Sequence, residues 1–374
     1  MTTTFLEPGG DADFGIGLWD SSAGAPSIVS DFVHGSHVKS LKTRFNASTG
    51  DDVRLSGRLS DAGGRITVYF YLNALPSITD TFLRLAQTGF GSTVLSLRIT
   101  TGGVLQLWKS SAQIGSNGST LSTGVWYRIT LCWKITSTTV NQFATFVNGT
   151  ADISVTNATL DFASSADFRM GNVSGDSGNA DFRFSDFYMD DSNALTDPGN
   201  IYVTAKRPYS NGSANNWSTQ VGSGNSGYGF DHSRQINERP NSDSNGWSEA
   251  SLTNTIEEYS IESVSQGDIN ILSATIIDFM GWVRAKSTAS ETARMILAGN
   301  TYNIALTTSI AFFKQIAGST IYPQGNTDIG IETPAVSVQT ETLYEAGIIV
   351  AYIPGILVQG QSQQPTIKQN IATF

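Results

Sequence analysis

Apolar and polar residues alternate with a period of two through the first half of the chain, the mark of half-buried strands. Ile66, Val68, Phe70 and Leu72 share one face, and Leu95, Leu97 and Ile99 share another with Ser96 and Arg98 opposite. Leu105 and Leu107 repeat the pattern after the turn Thr101-Gly102-Gly103. In Trp126–Ile135, Tyr127, Ile129, Leu131, Trp133 and Ile135 point one way, and Arg128, Thr130, Cys132 and Lys134 point the other. Phe143–Val147 runs into Asn148-Gly149, which predicts a hairpin because a type I′ turn needs positive φ at both central residues. A further strand is expected over about Phe182–Met189. Strands at this spacing, with no helical stretch between them, predict an antiparallel sandwich.

A seam of turn residues follows: Asp190-Asp191-Ser192-Asn193 and Asp197-Pro198-Gly199-Asn200. Tyr209–Tyr228 is rich in Ser, Asn and Gly but contains Trp217, and reads as a long ordered loop. Strand patterns resume at about Ile256–Val264, Ile269–Lys286, Met295–Ala298, Tyr302–Leu306, Ala311–Gln315 and Ala346–Ile353. Ile269–Ala285 is long enough for a helix, but its β-branched and aromatic content favours one long or bent strand. The expected organisation is all-β: a jelly-roll sandwich over residues 1–195, a second β-sandwich over 196–355, and an extended C-terminal arm over 356–374. The arm is rich in Gln, with Ile356, Leu357, Val358, Ile367, Ile371 and Phe374 spaced as anchors for a neighbouring subunit.

Composition narrows the function. Charged residues are 14% of the 374, while Gly, Ser, Thr and Asn abound, which suits short strands and turns rather than long helices. A net charge of −10 argues against a broad nucleic-acid footprint. No apolar run is long enough to insert in a membrane. The N-terminal Met1-Thr-Thr-Thr-Phe-Leu lacks the basic and apolar regions of a signal peptide. Cys132, the single cysteine, has no partner for an internal disulfide. Synthesis in a reducing host cytoplasm is therefore expected.

The run Gly64–Asp191 resembles the laminin-G/concanavalin A-like jelly roll. The resemblance rests on Arg65-Ile-Thr-Val-Tyr-Phe-Tyr-Leu72, on the pair Leu95–Ile99 and Gly103–Leu107, and on Leu121-Ser-Thr-Gly-Val-Trp-Tyr-Arg-Ile129. Phe146-Val-Asn-Gly149 and Phe184-Ser-Asp-Phe-Tyr-Met-Asp190 complete it, with Val38–Lys42 as an early strand. Followed by Ile201–Pro208, Trp217 and Gln235–Pro240, the arrangement resembles two-domain structural proteins of tailed-bacteriophage virions. That implies a non-enzymatic structural or decoration protein on the virion surface, head or tail. Its implied partners are other virion proteins, capsid or tail subunits, and further copies of itself. A glycan- or receptor-binding tail adhesin and a polysaccharide-degrading enzyme are the rival readings.

The resemblance also implies a Ca²⁺ bound by Asp186, with Asp11 or Asp13 and carbonyls near Gly9–Gly10 supplying further oxygen ligands. No cofactor is otherwise required. Flat rings able to stack on a host-surface glycan are Trp19, Trp108, Trp126 and Tyr188, all of which also fit core positions. Catalysis has little to stand on. The Glu-x-Asp-x-x-Glu strand of hydrolases with this fold is missing; Glu257, Glu258 and Glu262 have the wrong spacing, and Asp186, Asp190 and Asp191 lack a partnering Glu. His34 and His37 could both ligate a metal, but no Cys or Glu is near them in sequence, which favours a surface turn. His232 is isolated, and Gly222–Gly227 lacks the helix and Lys of a phosphate cradle.

Overall fold

A computed structural model describes residues 3–8, 17–35, 37, 39–46, 49–59, 62–90, 92–137, 141–158, 166–172, 180–217, 219–221, 246–250, 255–261, 275–317, 327–334 and 339–354. Asp11, Asp13, His232, Glu262, Gly222–Gly227, Gln235–Pro240 and the arm 356–374 lie outside the described residues. Strands are numbered in chain order.

The chain is all-β, built as two sandwiches. The first pairs a nine-stranded with a seven-stranded antiparallel sheet. Across the nine-stranded sheet run β14 (Thr150–Ala158), β13 (Asn141–Val147), β12 (Trp126–Ile135), β7 (Gly63–Leu72), β16 (Asp181–Asp190), β4 (Ser40–Asn46) and β3 (Ser27–Val29). There β1 (Thr3–Glu7) pairs with β16, and β5 (Thr49–Gly50) with β4. The seven-stranded sheet runs β11 (Ala112–Ile114), β10 (Leu105–Lys109), β9 (Thr93–Ile99), β8 (Asp80–Ala86), β15 (Ala166–Gly171), β6 (Asp52–Leu59) and β2 (Ser21–Ala23). The alternating residues meet between them: Ile66, Val68, Phe70, Leu72, Ile129, Leu131, Trp133, Phe182 and Phe184 are all buried there. Asn148 (φ 51°) and Gly149 (φ 85°) form the expected hairpin between β13 and β14.

The second sandwich follows the seam. One sheet runs β19 (Thr219–Val221), β20 (Gly246–Ala250), β27 (Thr340–Ile353), β22 (Thr275–Ser287) and β25 (Ala311–Ile316), with β17 (Tyr202–Lys206) on β27. The other runs β18 (Pro208–Asn215), β21 (Ile256–Ile261), β26 (Thr327–Glu332), β23 (Glu291–Leu297) and β24 (Asn300–Leu306). The stretch around Ile269–Lys286 contributes the long strand β22, with register shifts at Ile276/Asp278 and Arg284/Ala285. The expected loop at Tyr209 is corrected. Pro208–Asn215 is a strand paired irregularly with β21, and it leads to Trp217, which is fully buried.

Every named strand pairing joins strands within one half, yet the apolar core does not stop at the seam. Ile201, Val203, Met280, Trp282, Ile349 and Ala351 belong to the same buried cluster as Phe5, Leu6 and Phe187. The alternate residues Phe279, Val283, Ile348 and Val350 fill the second core. Strands β22 and β27 are thus buried on both faces, which explains the unbroken apolar run Ile348–Tyr352. β1 lies against β17, β22, β25 and β27. Lys314 of β25 reaches across to the Leu18 carbonyl and to Asp20, 3.1 Å away. Trp282 lies over its cross-strand partner Gly347, where an added Cβ would come within 2.7 Å of the indole.

This shared core predicts coupled unfolding. Trp282→Ala should cost about 3–5 kcal/mol and shift one cooperative urea transition of the full chain. Two separate transitions, with only the second displaced, would show that the sandwiches unfold independently.

Candidate functional site

Strand β16 carries a break in phase. Phe182 and Phe184 point into the core on even numbers, whereas Phe187 and Met189 do so on odd numbers. The pairing with β7 explains it: Ser185 lies opposite Tyr69 and Tyr188 opposite Thr67. Asp186 and Phe187 therefore face the single residue Val68, which is a β-bulge. Asp186 takes φ 51°, a left-handed conformation that Asp adopts more readily than most residues. The bulge swings its side chain onto the outer face of the nine-stranded sheet, where it is completely buried.

Three donors meet the Asp186 carboxylate. His34 donates from Nδ1 to Oδ2 at 2.7 Å, and His37 from Nε2 to Oδ1 at 2.8 Å. The backbone N–H of Val203, at the start of the second sandwich, also donates to Oδ1 at 2.7 Å. Burial alone would raise the Asp186 pKa; the two histidines outweigh it and hold the carboxyl below its usual range. His34 and His37 sit at the ends of a tight turn closed by His37 N–H donating to the His34 carbonyl at 3.1 Å, with Gly35 at φ 59°. The ligand atoms of His34, His37 and Asp186 all lie within 4.8 Å of one another.

The segment 191–201 then crosses the same outer face. Asp190 closes a buried pair with Arg65 at 2.7 Å. The Thr196 carbonyl accepts from Arg65 at 3.5 Å and from the Cys132 thiol at 3.7 Å. Asp197 takes Arg128 at 2.8 Å and the Thr130 hydroxyl at 3.0 Å. The Tyr69 hydroxyl donates to Asn200, and burial is the first reason its pKa lies far above the ordinary value. The polar side of β7 and β12 is therefore a second buried interface.

One aromatic row runs beside it, with Phe32 exposed, Trp126, His34 and Tyr202 half-buried, and Tyr71, Tyr69 and Tyr352 buried. Phe32, 37% exposed, stacks on Tyr71 at 4.8 Å, and Tyr71 lies 5.3 Å from Trp126. His34 follows, 5.4 Å from Trp126 and 3.6 Å from Tyr69; Tyr202 lies 5.7 Å from His34 and 5.9 Å from Tyr352. The row crosses from one sandwich to the other.

The expected site residues sort accordingly. Trp126 stands in the row, half-buried. Trp19 and Tyr188 are corrected as glycan contacts: both are buried core residues, Trp19 packing on Phe5 and Phe187, and offer no face to a sugar. Trp108 is half-buried, but Arg98 covers its ring at 4.2 Å. Around Asp186 the described partners are nitrogen donors; the expected oxygen ligands at Asp11, Asp13 and Gly9–Gly10 lie outside the described residues. The surface turn expected at His34–His37 is corrected in part: the turn exists, but His37 is buried against Asp186. Sequence distance hid this partnership, since the turn and the bulge are about 150 residues apart. The phase break in Phe182-Arg-Phe-Ser-Asp-Phe-Tyr-Met189 was the available signal.

No family model matches the chain, and no curated protein matches it. Among similar solved structures is the endo-β-1,4-glucuronan lyase of the fungus Trichoderma reesei, 17% identical over 53% of this chain and 99% of that one, with a TM-score of 0.41. A cellulose-induced protein, Cip1, is 17% identical over 48% and 89%, with a TM-score of 0.37. Domain 4 of an extracellular arabinanase from Geobacillus stearothermophilus, in complex with arabinotriose, is 16% identical over 52% and 97%, with a TM-score of 0.34. Likenesses this distant say nothing of activity, and the site is interpreted from its own geometry.

Two outcomes follow from that geometry. Burial pushes the Cys132 thiol up to about 12, so it should resist a thiol reagent at pH 8 in the folded chain. Asp197→Ala, by freeing the covering segment, should make Cys132 react at least about tenfold faster without global unfolding; equal rates would mean the segment is held without Asp197. The second concerns Asp31, whose carboxyl is lowered chiefly by its bond to the buried Arg183. Its stabilisation is present above about pH 4 and is lost as pH falls through the lowered folded value. Melting temperatures of wild type and Asp31→Asn should differ at pH 6 and converge towards pH 2. A constant gap would reject the ionic contribution.

Proposed function

We propose that the chain is a non-catalytic structural protein of the outer surface of a tailed-phage virion, assembling through contacts with other virion subunits. The carrying observation is the closure of the nine-stranded sheet's outer face by the segment 191–201. An active site needs a reachable pair of groups set around a reacting atom. Here Arg65, Arg128, Tyr69 and Asp186 are buried, and each is bonded to the covering segment, to the adjoining Asp190, or to β17. They brace one body rather than address a substrate. Two sandwiches sharing a core, with a linker bonded along its length, make a rigid unit suited to repeated surface packing. The resemblance of the chain's motifs to virion proteins supplies the setting.

A second reading, a tail adhesin for a host-surface glycan, is favoured by the aromatic row around Phe32, Tyr71 and Trp126. Flat rings at a partly open surface can stack on pyranose faces.

Gradient-purified particles from lysed host cultures should contain the chain in a fixed copy number by mass spectrometry, with density for two sandwiches on the particle exterior. Recovery in the soluble fraction alone would overturn the virion assignment. Release of new chain ends from polysaccharide by the purified protein would overturn the non-catalytic assignment. Glycan-array binding lost in Trp126→Ala would move the reading to the adhesin.

A further inference from the structure

The turn at His34–His37 and the bulge at Asp186 bring together a donor set that goes beyond bracing. We propose that His34 Nδ1, His37 Nε2 and one Asp186 oxygen form a site for a single divalent transition-metal ion of the zinc class, fastening the turn to the nine-stranded sheet. The first argument is convergence. Three ligand atoms from two segments about 150 residues apart lie within 4.8 Å of one another. For a metal at about 2.0–2.2 Å from each, the two hydrogen-bonded contacts to Asp186 open slightly and the two imidazoles close towards a common centre.

The second argument is donor chemistry. Two imidazole nitrogens and one carboxylate suit Zn²⁺ and its neighbours, whereas Ca²⁺ and Mg²⁺ take oxygen ligands. The site therefore selects against the Ca²⁺ expected at Asp186 from sequence. The third argument is support around the ligands. Val203 N–H orients the carboxylate, and the Tyr69 ring stacks on the His34 ring at 3.6 Å with Tyr202 alongside both, 5.7 Å from each, helping to hold its plane. Access is one-sided: the Asp186 side chain is 0% exposed, His37 4% and His34 12%. Three protein ligands leave a fourth position on the His34 side, which a water can take.

Proton balance is simple. Each imidazole gives an N–H to Asp186; on binding, that proton moves to the other ring nitrogen if the ring is neutral or leaves to solvent if the ring is protonated, and the freed lone pair turns to the metal. Asp186 stays ionised throughout, and Val203 keeps its hydrogen bond.

The test uses the full chain, stripped with chelator and dialysed. Titration with ZnCl₂ followed by calorimetry should show one Zn²⁺ per chain, and free Zn²⁺ well above Kd should raise the melting temperature. CaCl₂ at equal concentration should not. CoCl₂ should give the visible absorption of a four-coordinate nitrogen–oxygen site. His34→Ala and His37→Gln should each weaken Zn²⁺ binding by more than about tenfold, while His232→Ala should leave it unchanged. Folded wild type that takes up no stoichiometric Zn²⁺ would overturn the proposal and leave the cluster a metal-free brace. Stabilisation by Ca²⁺ equal to that by Zn²⁺, or binding indifferent to both histidine variants, would also overturn it. Should a histidine variant fail to fold, the wild-type cobalt spectrum still decides: without four-coordinate absorption the site is rejected.

Discussion

A carboxylate with no access to water must be surrounded by donors, and the way Asp186 meets that requirement organises much of this molecule. Its donors come from a turn near the N-terminus and from the first strand of the second sandwich. Desolvating a charge costs several kcal/mol unless it is hydrogen-bonded on all sides. The turn and β17 are therefore held at fixed distances from β16. The bulge that aims Asp186 outward is the same irregularity that lets Phe184 and Phe187 both enter the core.

The covering segment 191–201 follows from that anchorage. With one end held at Asp190 by Arg65 and the other at Val203 by Asp186, the chain between has to run over β7 and β12. The residues beneath it are polar, and each finds a partner in it: Arg128 and Thr130 in Asp197, Tyr69 in Asn200. Burying these groups is tolerable only because they are paired.

Much of the architecture was legible in the sequence. The alternation in β7 and β12 marked the inward faces correctly, Asn148-Gly149 marked its hairpin, and β-branched content marked β22 as a long bent strand. Alternation set Arg128, Thr130 and Cys132 on the opposite face of β12 but did not show that this face is covered too, because polarity in a strand reports what a face can bond to, not whether water supplies the bonds. Trp19 and Tyr188 show the same limit for aromatics: an indole or phenol looks alike in the sequence whether it stacks on a ligand or fills a core. The His34–His37–Asp186 cluster was beyond reach for a different reason. Its members belong to separate loops and strands, and only the paired register of β16 and β7 brings them together.

The linker bonded along the face of the sheet has a mechanical side. A force pulling the two sandwiches apart would not meet a single hinge. It would have to break the Arg65, Arg128 and Tyr69 attachments and draw Trp282 and Ile349 from the shared core, with several of these contacts loaded together. A joint of this kind resists shear in proportion to the number of attachments engaged at once, and it yields abruptly when they fail. On a surface exposed to flow and collision, the seam between the sandwiches would be a reinforced joint.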